Sequence, residues 1–181
     1  MTPRFVDFPD LSPEQRAEAV RVLREAFADR PGTFEDEADA EVESFLEDED
    51  RAAFAAVEGG RVVGWIGRVA TYDHAWELHP LAVDPAFQRR GIGAALTREL
   101  EARAKAAGVL TLYLGTDDEY GGTNLFGAAL YPDVAGKIAG VRATARGHPF
   151  AFYRRLGYEI VGLIPDANGP GKPDILMAKR L

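Results

Sequence analysis

Apolar positions along the chain switch between two spacings, and the switches mark out its elements. Phe5, Val6 and Phe8 open it as a short apolar run. Ser12-Pro13-Glu14-Gln15 has the form of a helix start: serine caps, proline takes the first helical position, and glutamine can close a capping box. Ala19, Leu23, Ala26 and Phe27 follow at helical spacing, and Pro31-Gly32 predicts the end of that helix. Phe34, Ala38, Val42 and Phe45 predict a second helix, apolar on one face and acidic on the other. The period then shortens. Ala53–Val57 and Val62–Thr71, joined by Glu58-Gly59-Gly60, predict a β-hairpin, and Trp76–Val83 predicts a further strand.

Val83-Asp84-Pro85 ends that strand, and Gln88-Arg89-Arg90-Gly91-Ile92-Gly93 leads into a helix predicted to run through Ala107. Ile92, Leu96 and Leu100 form its buried stripe, Gly108 stops it, and Leu110–Gly115 predicts the next strand. Such a β-loop-α-β unit predicts neighbouring parallel strands. Glycines and proline break any period between Glu119 and Arg146, where short helices and loops are expected. His148-Pro149 opens a helix over Phe150–Leu156, with Gly157 as its stop. Tyr158–Ile164 and Asp174–Arg180 predict two last strands, joined by the loop Pro165–Pro173. With 181 residues, no repeat and no linker, the expectation is a single α/β (α+β) domain over 1–181, built on a mixed sheet.

Composition narrows the chemistry. A hydrophobic content of 46% supports a sizeable core, and no apolar run is long enough for a membrane span. Met1-Thr2-Pro3-Arg4-Phe5-Val6-Asp7 lacks the basic and apolar regions of a signal peptide, so a cytoplasmic protein without a membrane partner is expected. There is no cysteine, hence no disulfide, zinc–thiolate site or cysteine nucleophile. Two serines (Ser12, Ser44) and three histidines (His74, His79, His148) leave little for a serine triad or a polyhistidine metal site, and no metal is expected.

Charge is unevenly placed. The net charge is −8, and between Arg30 and Arg51 stand ten acids and no base. The remaining 19 acids nearly balance the 21 bases. Nucleic acid is a poor partner for such a chain, whereas a cation would be drawn to it. The acidic run equally fits a solvated helix face.

The segment Gln88-Arg89-Arg90-Gly91-Ile92-Gly93-Ala94 carries the strongest chemical signal. Glycines at a strand-to-helix turn bring backbone N–H groups to a helix N-terminus, where they suit an anion such as pyrophosphate. It is not a Walker loop, since no Gly-Lys-Ser/Thr follows, and Leu96 stands where a dinucleotide fingerprint needs its third glycine. The segment resembles the acyl-CoA-binding motif of the GCN5-related N-acetyltransferases, Gln/Arg-x-x-Gly-x-Gly/Ala. Trp76-Glu77-Leu78-His79-Pro80-Leu81, Tyr113-Leu114-Gly115-Thr116-Asp117-Asp118 and much of His148–Lys179 further resemble one branch, the aminoglycoside 6'-N-acetyltransferases of the chromosomal enterococcal type. In the tail, Phe152-Tyr153, Leu156-Gly157-Tyr158, Ala167-Asn168-Gly169 and Lys172-Pro173-Asp174-Ile175 are among the matching residues. This covers about the C-terminal 105 residues.

The resemblance implies a twisted mixed sheet of about six to seven strands flanked by helices, acetyl-CoA as co-substrate, and a homodimer. It implies that Leu81, Ala82 and Val83 with Gln88 to Ala94 (Gln88, Arg89, Arg90, Gly91, Ile92, Gly93, Ala94) hold the coenzyme. The Leu81 N–H would polarise the thioester carbonyl. Tyr153 would stand near the coenzyme sulfur and return a proton to it, although an aromatic anchor beside Phe150 and Phe152 is its plain structural role. For the amine, Glu77 and His79 lie on one strand face by period-two alternation, so either could take the ammonium proton. Trp76, Asp117 and Asp118 would join Glu77 around the acceptor, while helix capping or a solvated loop fits the two aspartates as well. Asn168-Gly169 and Lys172-Pro173 read as turn structure.

The expected function is acetyl transfer from acetyl-CoA to a primary amine, foremost the 6'-amine of an aminoglycoside, by direct attack on the thioester. A polyamine, peptide or basic-protein amine would keep the reaction and change the acceptor. A non-catalytic acyl-CoA-binding module would keep the Gln88–Gly93 loop without needing Glu77 or Tyr153.

Overall fold

The structure, a computed structural model, describes residues 3–28, 34 and 36–181. Seven strands form one mixed sheet in the order β1-β2-β3-β4-β5-β7-β6. Compactness divides the chain within β5, into Met1–Leu112 with Leu181 and Tyr113–Arg180. No linker marks that division in the sequence, which reads as one domain.

The first unit starts with β1 (Arg4–Asp7) and α1 (Pro13–Ala26). The expected capping box is present: Ser12 Oγ accepts from Gln15 N at 3.2 Å, and Gln15 Oε1 accepts from Ser12 N at 3.1 Å. The expected helix end at Pro31-Gly32 lies outside the described residues. α2 (Ala38–Glu47) buries Ala38, Val42 and Phe45, with Phe34 just ahead of the helix. β2 (Arg51–Glu58), β3 (Arg61–Tyr72) and β4 (Ala75–Val83) form an antiparallel meander, followed by α3 (Ile92–Ala106) and the start of β5 (Thr111–Asp117).

β3 is buried on both faces, and the two faces differ. Trp65 packs among Phe8 and Phe45 at centroid distances of 5.0 and 5.7 Å, beneath α1 and α2. Its indole N–H donates to Ala19 O at 3.0 Å, so the buried polar atom is satisfied. On the opposite face Gly64 lies under Ile92 and Leu96 of α3. The expected stripe Ile92, Leu96 and Leu100 is buried.

The β3–β4 register slips at one place that matters. Ile66 pairs with Leu81 and Arg68 with Leu78, so Gly67 faces two residues, His79 and Pro80, across a β-bulge. A proline, having no N–H, is at home at such an irregularity. Gly67 is there because nothing larger fits. A Cβ would lie 2.4 Å from His79 O and 2.6 Å from two ring atoms of Phe45. Gly67→Ala should therefore lower stability by about 1–3 kcal/mol, the usual cost of overpacking. An unchanged denaturant midpoint would contradict that packing.

The second unit holds most of β5, then α4 (Val134–Ala139), α5 (Phe150–Arg155), β6 (Glu159–Ile164) and β7 (Asp174–Arg180). The segment 119–146 is loop closed by the single bridge Thr123–Ala143 and the one short helix α4, in keeping with its broken period. β6 and β7 are antiparallel, and their connection is the predicted loop 165–173. Gly108 and Gly157 both adopt positive φ (+81° and +91°) where they stop α3 and α5.

Candidate active site

In the first unit, the turn from β4 to α3 is braced on every side. Asp84 is buried; its Oδ1 accepts from Ala86 N at 2.9 Å and its Oδ2 from Arg21 Nη2 of α1 at 2.8 Å. The Arg21 pKa is raised, chiefly by that hydrogen bond to Asp84. Gln88 Nε2 donates to Val83 O at 3.1 Å. Arg90 pairs with Glu58 at 3.1 Å and lies over the Phe87 ring. The Gln88 and Arg90 side chains thus hold the turn itself, leaving its main chain for a ligand. Arg89 and Gly91 take left-handed conformations, φ +62° and +84°. For arginine this is uncommon, and such backbone is concentrated at ligand-binding turns.

No side chain caps α3 at Gly91. Ala95 N closes the first helical bond to Gly91 O at 3.0 Å, which leaves Ile92, Gly93 and Ala94 as the helix's open N–H groups. Three open donors at the positive end of a 15-residue helix fit a pyrophosphate, and the residues expected to hold a coenzyme suit that group.

β4 carries the acceptor-side candidates. Leu81 and Val83 are half-buried and Ala82 is buried, just past the bulge. Trp76 is half-buried under the Arg68 guanidinium, 4.5 Å from its ring centroid. Glu77 pairs with Val69 in the ladder, is half-buried, and has no hydrogen bond or ion pair among the described residues. His79 is different: its Nε2 lies 3.4 Å from Glu41 Oε1 of α2, and the Phe34 ring packs on it at 5.9 Å. The same Glu41 oxygen accepts from Arg51 Nη1 at 3.0 Å. Burial would raise the Glu41 pKa, but the contacts with His79 and the Arg51 guanidinium outweigh it and hold the carboxyl below its ordinary value. Elsewhere on the acidic helix, Asp39 pairs with Arg24, while Glu43 and Glu47 are exposed.

In the second unit, Tyr153 is buried on α5 and wedged edge-on against Phe152 and Tyr158, at 5.0 and 5.6 Å. His148 sets that helix. Its Nδ1 accepts from Phe150 N at 3.2 Å, so Nε2 carries the hydrogen and donates to Asp117 O at 3.0 Å. The Asp117 carboxylate is exposed and bonded by Asn168 Nδ2. Asp118 corrects the expectation of an acceptor-binding pair. It is 0% exposed, and its carboxylate accepts from Gly122 N (2.7 Å), Thr123 N (2.8 Å) and Thr123 Oγ1 (2.6 Å). With both oxygens engaged inside a turn, Asp118 anchors the loop, and only Asp117 can meet a ligand. The described residues contain no group of three side chains suited to a metal ion and no helix long and apolar enough to cross a membrane.

The sequence pattern of the acetyltransferase (GNAT) family matches residues 19–126. The chain belongs to that family. A solved aminoglycoside 6'-N-acetyltransferase in complex with coenzyme A is 38% identical to it, with 98% of this chain and 96% of that one covered and a TM-score of 0.89. A second, from Enterococcus faecium, is also 38% identical over 98% and 96%, with a TM-score of 0.87. The N-alpha-acetyltransferase RimI of Mycobacterium tuberculosis is 32% identical over 120 residues, 64% of this chain and 66% of that relative. The chain therefore spans just under two thirds of that curated relative's length.

Several side chains that build the candidate site escape sequence reasoning. Arg21 and Asp84 meet across 63 positions, and His148 reads from sequence only as a helix opener. Glu41 left one trace: it sits three residues after Ala38 and four before Phe45, on the inward stripe of α2. An acid on a core-facing stripe calls for a partner.

Proposed function

We propose that this acetyltransferase moves the acetyl group of acetyl-CoA to the 6'-amine of an aminoglycoside. The observation that carries the reading is the likeness to the two 6'-N-acetyltransferases, which runs over 98% of the chain rather than over the coenzyme motif alone. The Glu77 carboxylate, half-buried and without a cation among the described residues, suits an ammonium acceptor.

The chemistry needs a neutral amine, a polarised carbonyl and a protonated leaving sulfur. The acceptor ammonium gives one proton to Glu77 or His79, directly or through water, and its nitrogen then forms a bond to the thioester carbon. The Leu81 N–H stabilises the developing oxyanion, a contribution worth roughly 10²–10³ in rate where one such donor has been removed. The carbon–sulfur bond breaks, Tyr153 gives its hydroxyl proton to the leaving sulfur, and the second proton of the attacking nitrogen, shed as the neutral amide forms, restores that hydroxyl. The open N–H groups of Ile92, Gly93 and Ala94 bind the pyrophosphate, and Asp117 contributes a second carboxylate for a polycationic acceptor.

Glu77→Gln tests the acceptor half. Loss of a charge-assisted contact worth about 1.5–3 kcal/mol should lower kcat/KM for the aminoglycoside by roughly 10- to 100-fold. The acetyl-CoA KM should stay as it was. An equal loss on both substrates would remove Glu77 from this role. A second reading, acetylation of a protein N-terminal amine, is favoured by the 32% identity to RimI over 64% of the chain. A peptide accepted in preference to every aminoglycoside would establish it.

A further inference from the structure

The reaction above leaves two groups, Glu77 and His79, for one proton, and the surroundings of His79 separate them. A carboxylate can only accept, so the contact of His79 Nε2 with Glu41 Oε1 at 3.4 Å places a hydrogen on Nε2. In the neutral ring Nδ1 then keeps its lone pair, and it has no hydrogen-bond partner among the described residues. The ring is fixed from three sides. Phe34 packs on it, Glu41 takes one nitrogen, and the bulge opposite Gly67 sets the backbone.

Glu41 is itself held. Its side chain is 16% exposed, and Arg51 Nη1 reaches Glu41 Oε1 at 3.0 Å and Ser44 Oγ at 2.9 Å. The Arg51 guanidinium also stacks on Phe45, 5.0 Å from its centroid. The chain Arg51–Glu41–His79 thus runs from β2 through α2 to β4 and ends on a nitrogen without a partner among the described residues, on a side chain 41% exposed.

We propose that Glu41 is a positioning residue that commits His79 Nε2 as a donor, so that His79 Nδ1 accepts the proton of the acceptor ammonium. The proton leaves the ammonium nitrogen for Nδ1, the nitrogen lone pair becomes free to attack, and the resulting imidazolium is balanced by the Glu41 carboxylate. Glu77 then binds the ammonium without being the base. The inference rests on the amine-acetylation reading above.

The experiment is a double-mutant cycle on Glu41→Gln and His79→Gln, with kcat and both KM values measured, paired with NMR of the His79 imidazole. If Glu41 acts through His79, Glu41→Gln lowers kcat by about tenfold with acetyl-CoA KM unchanged, within the coupling range of contacting residues. The double variant is then no slower than His79→Gln alone. Losses that multiply in the double variant overturn the proposal, because Glu41 would act independently. In the NMR arm, a hydrogen-bonded His79 Hε2 resonance is expected in the unaltered protein and should be lost to solvent exchange in Glu41→Ala, which removes the acceptor. The same resonance in both proteins, or in neither, also overturns it. That arm needs no turnover, so an enzyme silent towards aminoglycosides would defeat the functional reading while Glu41 is still decided by the spectrum.

Discussion

Replacing Tyr153 with phenylalanine should lower kcat by roughly 10²–10⁴ while acetyl-CoA binding is preserved. The ring of Tyr153 is buried between Phe152 and Tyr158 on a helix whose start is tied to His148. Phenylalanine keeps that ring and its edge contacts, so the fold loses only one hydroxyl. What disappears, in the proposed mechanism, is the proton for the departing thiolate. A thiolate leaves less readily unprotonated, and the loss therefore falls on the chemical step. Full activity in Tyr153→Phe would return Tyr153 to the part of an aromatic anchor.

The largest stability effect is expected at Asp118. Three donors converge on this carboxylate, two of them main-chain N–H groups, and the residue is 0% exposed. Asp118→Ala removes every acceptor at once. A buried donor left unsatisfied costs about 1–3 kcal/mol, so a total of roughly 3 kcal/mol or more is expected. For a chain of this size that is a fall of about 6–12 °C in Tm. Amide exchange in the loop 119–146 should quicken before that of β2 and β3, because Asp118 ties down the beginning of that loop. An unchanged Tm would mean that the turn at Gly122 and Thr123 stands without it.

The same pair of aspartates shows where the sequence was legible and where it was not. Along β5, Leu112, Leu114 and Thr116 are buried while Gly115 and Asp117 are exposed. Period two, continued one residue, sends Asp118 inward and Asp117 outward. Reading the two as one acidic patch missed that alternation. Local chemistry was otherwise readable: the capping box at Ser12, the stripe of α3, the stops at Gly108 and Gly157, and β7 at Asp174–Arg180 all follow from near neighbours. The turn into α3 was legible as well, because glycine spacing and helix polarity are local properties. What braces it was not. Arg21 reaches Asp84, Glu58 reaches Arg90 and Glu41 reaches His79 only after strands and helices have packed, and the place of Glu41 on the inward stripe of α2 does not say which base it meets. The bulge stands between the two cases. Pro80 announces an irregular strand, but Gly67, its necessary partner, is identified only by the register of β3 on β4.

The central claim is the 6'-amine, and it is tested most directly by coenzyme A release from acetyl-CoA with neomycin and paromomycin as paired acceptors. The two differ at the 6' position, an amine in one and a hydroxyl in the other. Turnover with neomycin and near silence with paromomycin is the predicted result. Equal turnover with both, or silence with both and acetylation of a peptide amine, would contradict it.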